Sequence, residues 1–257
     1  MKLQIASDLH IEFDAYNANK FNLPKTDADV IILAGDIWNQ RKSVDWAAKT
    51  AIKHEKPVIM VLGNHDYWST NPNLKPLTSV LAKIYRRALH WQHKKVPIYL
   101  LENTSVNIDG TYFLGATLWT DYDNGNPISM MVAQTSMNDF NLIGGISGKL
   151  TAEHLFNRHK HSIQWLEKYM DSDSVVITHH SPSLQTAVGK DSGELMGSYY
   201  SDLDYAIHKF KPKLWVYGHT HISQDMMIDK TRIVSNPRGY APYDLNKEFI
   251  PDKIVTI

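Results

Sequence analysis

Five short apolar runs in this chain end in the same way. Leu3–Ala6 closes on Ser7-Asp8-Leu9-His10, Val30–Ala34 on Gly35-Asp36, and Val58–Leu62 on Gly63-Asn64-His65-Asp66. Val175–Ile177 closes on Thr178-His179-His180-Ser181-Pro182, and Leu214–Tyr217 on Gly218-His219-Thr220-His221. The runs are nearly continuous in Val, Ile and Leu rather than alternating, which is the pattern of strands buried on both faces. In open α/β sheets ligands gather outside the carboxyl ends of strands, so these terminal Asp, Asn and His residues are expected to converge in one crevice. An extended chain sends residues i and i+2 to one side. Asp8 with His10, and His219 with His221, are therefore each expected to reach one ion.

The rest of the chain fills in the layers. Further strand-like runs lie at Ile98–Leu101, Tyr112–Leu118 and Arg232–Ser235, and helical periodicity at Ser43–His54, Leu74–Leu89 and Thr151–Met170. The last of these opens on Thr151 as N-cap and carries a stripe at Leu155, Ile163, Leu166 and Met170. Ser201-Asp202-Leu203-Asp204 reads as a variant capping box for a helix ending near Lys211-Pro212. Strand and helix alternate over roughly the first third, strands then dominate, and alternation returns. That order predicts a layered α/β protein with two sheets. No internal repeat, low-complexity tract or linker divides residues 1–257, so a single domain is expected. Residues 121–149 and 183–200 read as long excursions, where function or mobility concentrates.

Composition narrows the chemistry. There is no cysteine, so any metal must be held by oxygen and imidazole nitrogen. Basic and acidic residues balance at 27 each, which argues against gripping long nucleic acid through many phosphates but leaves nucleotides and short oligonucleotides open. Met1-Lys2 runs straight into a strand, with no apolar stretch long enough for a signal peptide or membrane span, so the expected location is cytoplasmic and no membrane partner is expected.

Carboxylate, amide oxygen and imidazole together suit borderline divalent ions such as Mn, Fe, Zn, Ni or Co. An inventory of two Asp, one Asn and four His exceeds what one ion takes. A carboxylate shared between two ions about 3.5–4 Å apart would use the surplus, as in phosphatases and nucleases. Taken singly, Asp-x-His or Gly-Asp is an ordinary turn; the signal is five such endings in this order.

That ordered set, Asp8-Leu9-His10, Gly35-Asp36, Gly63-Asn64-His65-Asp66, His179 and Gly218-His219-Thr220-His221, resembles the calcineurin-like metallophosphoesterases. The resemblance runs from residue 8 to residue 221 and implies a four-layer αββα sandwich of two packed mixed β-sheets flanked by helices. It implies that Asp8, His10, Asp36 and His221 hold one divalent ion. Asp36 would bridge to a second, held also by Asn64, His179 and His219. His65 would then be no ligand but a catalyst beside the scissile phosphate, with Asp66 orienting it. The implied reaction is hydrolysis of a small phosphodiester or phosphomonoester by a metal-activated hydroxide, with no covalent intermediate. Alternatives are a nuclease or nucleotide pyrophosphatase of the same fold, and a non-catalytic interaction scaffold, against which the complete ligand set argues.

His179 and His180 point oppositely on an extended chain, and the family pattern favours His179 as the ligand. His180 is left to touch substrate or to pack. Arg238, in Asn236-Pro237-Arg238-Gly239-Tyr240, is a candidate fork for a substrate phosphate. Gly144–Lys149 is one residue short of a phosphate loop, and Lys190–Gly193 is no nucleophile elbow. His159 and His161 are expected on a solvated helix surface, His90 and His93 beside Lys94-Lys95 on a small basic edge, and Met130, Met131 and Met137 as gap fillers.

Overall fold

The computed structural model describes residues 1–14, 21–71, 73–146, 148–187, 193–241 and 243–257. Two sheets make its middle. The first has five strands: β1 (Lys2–Ala6), β2 (Val30–Ala34), β3 (Val58–Val61), β4 (Ile98–Leu100) and, from the chain's end, β11 (Ile254–Thr256). Their order is β11-β1-β2-β3-β4, parallel except for β11. The second sheet has six: β5 (Thr104–Ile108), β6 (Thr111–Ala116), β7 (Val175–Thr178), β8 (Leu214–Tyr217), β9 (Gln224–Ile228) and β10 (Thr231–Ser235). These lie in the order β9-β10-β8-β7-β6-β5, with parallel central pairs and antiparallel edge hairpins.

The side-chain period of two splits each central strand between two cores. Leu3, Ile5, Val30, Ile32, Ala34, Ile59 and Val61 meet Phe113, Val175, Ile177, Leu214, Val216 and Val234 between the sheets. The alternating residues Ile31, Leu33, Val58 and Met60 turn outward onto α1 (Arg41–His54) and α2 (Leu77–His93), against Val44, Ala47, Ala48, Val80 and Ile84. On the far side Val176, Trp215, Tyr217 and Ile233 pack under α4 (Ala152–Tyr169) and α5 (Asp204–Phe210) through Leu166, Met170, Ala206 and Ile207. Each fully buried aliphatic side chain contributes about 1.5–3 kcal/mol, so the double-sided strands are the main hydrophobic store of the fold. The result is the expected αββα sandwich of two mixed sheets.

Local departures have local causes. The helix expected at Leu74 starts at Leu77, because Pro76 holds an extended backbone at its N-cap. Thr151 caps α4 as expected, accepting from the His154 N–H at 3.2 Å. Ser201 caps nothing: α5 begins after Leu203, and the Ser201 hydroxyl instead accepts from the Asp121 N–H at 3.2 Å. Most of the first excursion is helical. α3 (Pro127–Ser136) starts on Asn126, whose side chain accepts from the Ile128 N–H, with proline at the first position. Gly144–Gly145 pairs antiparallel with Gly148–Lys149, a geometry unlike a phosphate loop. In the second excursion, residues 188–192 lie outside the described residues, and with them most of Lys190–Gly193. Among the described residues no helix is long and apolar enough to cross a membrane.

Candidate metal centre

The loops after β1, β2, β3, β7 and β8 meet at one end of the sandwich, and their backbones are turned rather than extended. Asp8, His10, Asp36, His219 and His221 all have positive φ, between 44° and 67°. The expectation that Asp8–His10 and His219–His221 share a side because the chain is extended is therefore corrected: left-handed turns aim them. Such backbone costs about 1–3 kcal/mol per residue and persists only where its surroundings hold it. Here backbone bonds do the holding. The Asp8 N–H donates to the Gly35 carbonyl and the His10 N–H to that of Asp36, both at 3.0 Å, and Gly218 N–H reaches the His179 carbonyl at 2.9 Å. The two sheets are tied together there as well, since the His219 N–H donates to the Asp8 carboxylate at 3.0 Å. Gly35, at φ 86°, has no room for a side chain, because a Cβ would strike the His179 ring and come within 2.8 Å of the Gly63 nitrogen.

The donor atoms converge. His10 Nε2 lies 3.0 Å from His221 Nε2, 3.7 Å from Asp36 Oδ2 and 3.9 Å from Asp8 Oδ1, and His221 Nε2 lies 3.4 Å from Asp8 Oδ1. Beside this group, His179 Nε2 lies 3.4 Å from the same Asp36 Oδ2 and 3.1 Å from Asn64 Oδ1. Asp36, His179 and His219 form a second triad able to hold an ion. Ligands bonded at about 2.1 Å stand roughly 3.0–3.4 Å from one another, so the pairs at 3.0–3.4 Å match a shared cation, while His10 stands wider of Asp36 and Asp8.

Tautomers agree with that use. His179 donates from Nδ1 to the Ala34 carbonyl at 2.9 Å, and His219 donates from Nε2 to the Ser198 carbonyl at 3.2 Å, which fixes the opposite nitrogen of each as the lone-pair atom. Asp36 spends Oδ1 on the His65 N–H at 2.8 Å and turns Oδ2 to both His10 and His179. Burial opposes ionisation of Asp36, but the His179 and His65 imidazoles outweigh it and hold the carboxyl well below its ordinary range.

His65 sits against the first group, and with His10 and Asp36 it makes a further triad of donors close enough for an ion, its Nε2 4.0 Å from Asp36 Oδ2. Its Nδ1 donates to Glu12 Oε1 at 2.9 Å, the same oxygen that takes His10 Nδ1 at 3.2 Å. Trp68 stacks on the ring with centroids 3.4 Å apart, and the Tyr240 hydroxyl lies 3.3 Å from Nε2. Burial alone would lower the His65 pKa; the Asp36 charge and the Glu12 bond more than reverse this and raise it. The expected partnership of Asp66 with His65 is corrected. Asp66 Oδ2 caps the loop, accepting from the Gly63 N–H at 2.8 Å and the Asp36 N–H at 3.0 Å, while burial and the nearby Asp36 charge push its pKa up to about 8. The carboxylate hydrogen-bonded to the His65 ring is that of Glu12. Asp139 joins the site with no motif to announce it: its Oδ1 accepts from Asn64 Nδ2 at 2.9 Å and Trp68 Nε1 at 2.6 Å, turning the Asn64 oxygen toward His179.

Two candidate substrate contacts point elsewhere. His180 is buried, bonded through Nδ1 to the Thr117 carbonyl at 3.1 Å and packed on Trp119, and burial pushes its pKa down to about 3. Arg238 forks onto both oxygens of Asp14 at 3.0 and 3.1 Å and onto the Leu9 carbonyl, with its guanidinium over Phe21, so it braces the β1 loop. His161 is exposed as expected, but His159 is buried against the Leu118 carbonyl. Met130 and Met137 pack on the first core, while Met131 is exposed.

Comparison with known proteins agrees with this geometry. Residues 1–223 match the calcineurin-like phosphoesterase family. A protein of Acanthamoeba polyphaga mimivirus described as uncharacterized protein L509 is 25% identical, the match covering 93% of this chain and 91% of that one. The crystal structure of the phosphopantetheinyl hydrolase PptH from Mycobacterium tuberculosis superposes with a TM-score of 0.72 at 18% identity, over 94% of this chain and 93% of that one. TT1561 of Thermus thermophilus superposes with a TM-score of 0.52 at 14% identity, over 93% and 88% of the two chains. With the family matched over 223 of 257 residues, the chain belongs to the calcineurin-like phosphoesterases and is a metal-dependent phosphohydrolase.

Proposed function

We propose that this protein hydrolyses a small phosphate ester at two divalent ions, within one domain formed by residues 1–257. Asp8, His10, Asp36 and His221 hold one ion, and Asp36, Asn64, His179 and His219 hold the other. The observation that carries this reading is the Asp36 carboxylate, whose Oδ2 lies 3.7 Å from His10 Nε2 and 3.4 Å from His179 Nε2 and so serves both donor groups. Ions bound there supply Lewis acidity and bring the pKa of a water toward about 7. The chain's own groups do the rest. His65, its Nδ1 fixed by Glu12, keeps Nε2 toward the ester oxygens and holds a proton for the leaving group. Trp68 and Tyr240 fix the plane of that ring. Asp139 keeps the Asn64 oxygen, rather than its amide nitrogen, on the second ion.

The test is hydrolysis of p-nitrophenyl phosphate and bis(p-nitrophenyl) phosphate by Mn-loaded protein, with Asp36→Asn alongside. Turnover that disappears in the variant supports the reading, and the ratio of the two rates ranks monoester against diester. Undiminished turnover in Asp36→Asn overturns it.

A further inference from the structure

The cleft that opens beside His65 is walled by Glu12, Phe13 and Trp68, the first and last of which touch the His65 ring. Its volume is about 780 Å³, and its outer wall carries Arg41, Lys42 and Arg87. Through Arg41 and Arg87 it continues into a shallower basin of about 370 Å³ lined by those two with Lys83, Arg86 and His90, and by no acidic residue. On α2 the basic positions fall at 83, 86, 87 and 90, the i, i+3, i+4, i+7 spacing that gathers side chains on one helix face. Like charges at those spacings disfavour a helix, so an anion placed over the stripe relieves a real strain.

The neighbouring helix repeats the pattern. α1 begins with Arg41 and Lys42, has no acidic residue in its first turn and no side-chain cap at Gln40. Cations at a helix start oppose its dipole, the reverse of the usual placement. Two acids line this path. Glu12 is spent on His10 and His65, and Asp45 takes Arg87 in a close ion pair and Trp91 Nε1 at 2.7 Å. Among the described residues Arg41, Lys42 and Lys83 make no ion pair. In a chain of zero formal charge, this one-sided concentration begins at Glu12 and Trp68, one side chain away from the candidate catalytic histidine.

We propose that this track binds a further phosphate on the leaving-group side of the substrate, so that the natural substrate is an ester whose released alcohol is itself phosphorylated. The assignment of side rests on the reading of His65 given above. Phe13 and Trp68, on the inner wall, leave an aromatic or nucleoside portion a surface between the two phosphates. A small bisphosphate and the end of a short oligonucleotide share this chemistry.

Titration calorimetry of the Mn-loaded protein separates the possibilities, using thymidine 5′-phosphate, thymidine 3′,5′-bisphosphate and a 5′-phosphorylated thymidine tetranucleotide. The bisphosphate is expected to bind about tenfold tighter than the monophosphate at low salt, with the gain shrinking as salt rises. In the double variant Arg41→Ala/Lys83→Ala the ratio of the two affinities should collapse toward one. Lys209→Ala/Lys230→Ala, which removes equal charge from exposed residues elsewhere, should preserve it. A tetranucleotide that binds tighter again assigns the phosphate to a nucleic acid end; one that binds no better than the bisphosphate assigns it to a small molecule. Equal affinities for mono- and bisphosphate in the parent protein, or an unchanged ratio in Arg41→Ala/Lys83→Ala, overturn the proposal. If the aryl phosphates are still hydrolysed in that case, the metallohydrolase reading stands without it.

Discussion

Replacing Glu12 by glutamine tests how the two histidines at the site are held. Glu12 Oε1 accepts from His10 Nδ1 at 3.2 Å and His65 Nδ1 at 2.9 Å, and among the described residues its buried second oxygen has no hydrogen-bond partner. Glutamine keeps the shape and one acceptor oxygen but removes the charge. Hydrogen bonds to a charged group contribute about 1.5–3 kcal/mol and neutral ones about 0.5–1.5, so each histidine loses about 1–1.5 kcal/mol of restraint. At 1.36 kcal/mol per factor of ten, that is roughly tenfold for each. The losses read out separately. The His65 share should lower kcat for an aryl phosphate about tenfold at saturating Mn, while the His10 share should weaken binding of the first ion about tenfold, within the range usual for residues that orient ligands. A variant whose kcat at saturating metal and whose ion affinity both stay within about twofold of the parent would refute the idea that the Glu12 charge positions these rings.

Asp139→Leu removes the acceptor that keeps the Asn64 amide turned, so affinity for the second ion should fall about tenfold or more by direct metal titration; unchanged affinity contradicts the role. Gly35→Ala combines a left-handed φ with a Cβ 2.4 Å from His179 Nδ1 and should cost about 2–4 kcal/mol, read as a lowered urea midpoint; a midpoint equal to the parent's argues against the close packing described. His159 supplies a pH prediction. Burial pushes its imidazolium pKa down to about 4, so between that value and its ordinary 6.5 the unfolded chain binds the extra proton. Its stabilisation is thus complete above pH 6.5 and is lost as pH falls, by about 3 kcal/mol near pH 4. His159→Gln should flatten this part of the stability curve, and an undiminished acid slope in the variant would place the titration elsewhere.

What the amino-acid sequence discloses is what local patterns determine. Double-sided apolar runs mark central strands whichever sheet they join, and a candidate ligand at a strand's carboxyl end is marked by its position. The edge strands Thr104–Ile108, Gln224–Ile228 and Ile254–Thr256 escape notice because they are short or half polar and owe their pairing to neighbours. Glu12, Asp139 and Tyr240 escape for a related reason. Each reaches the site through tertiary contact, Glu12 meeting His65 across 53 residues, and nothing about one acid in a short turn foretells that. Asp66 shows the converse error. It is adjacent to His65 in sequence, but within the turn its carboxylate faces the Gly63 and Asp36 N–H groups. Arg238 likewise has the chemistry of a phosphate fork, and Asp14 occupies it.

The central claim is that Asp36 joins two ion sites into one catalytic unit. Metal-free protein titrated with Mn, with bound ions counted by elemental analysis and aryl phosphate hydrolysis followed in the same samples, tests it most directly. Activity should appear with the second equivalent and level at two ions per chain, while Asp36→Asn should bind fewer and stay inactive. Full activity at one ion per chain, or an active Asp36→Asn, would contradict it.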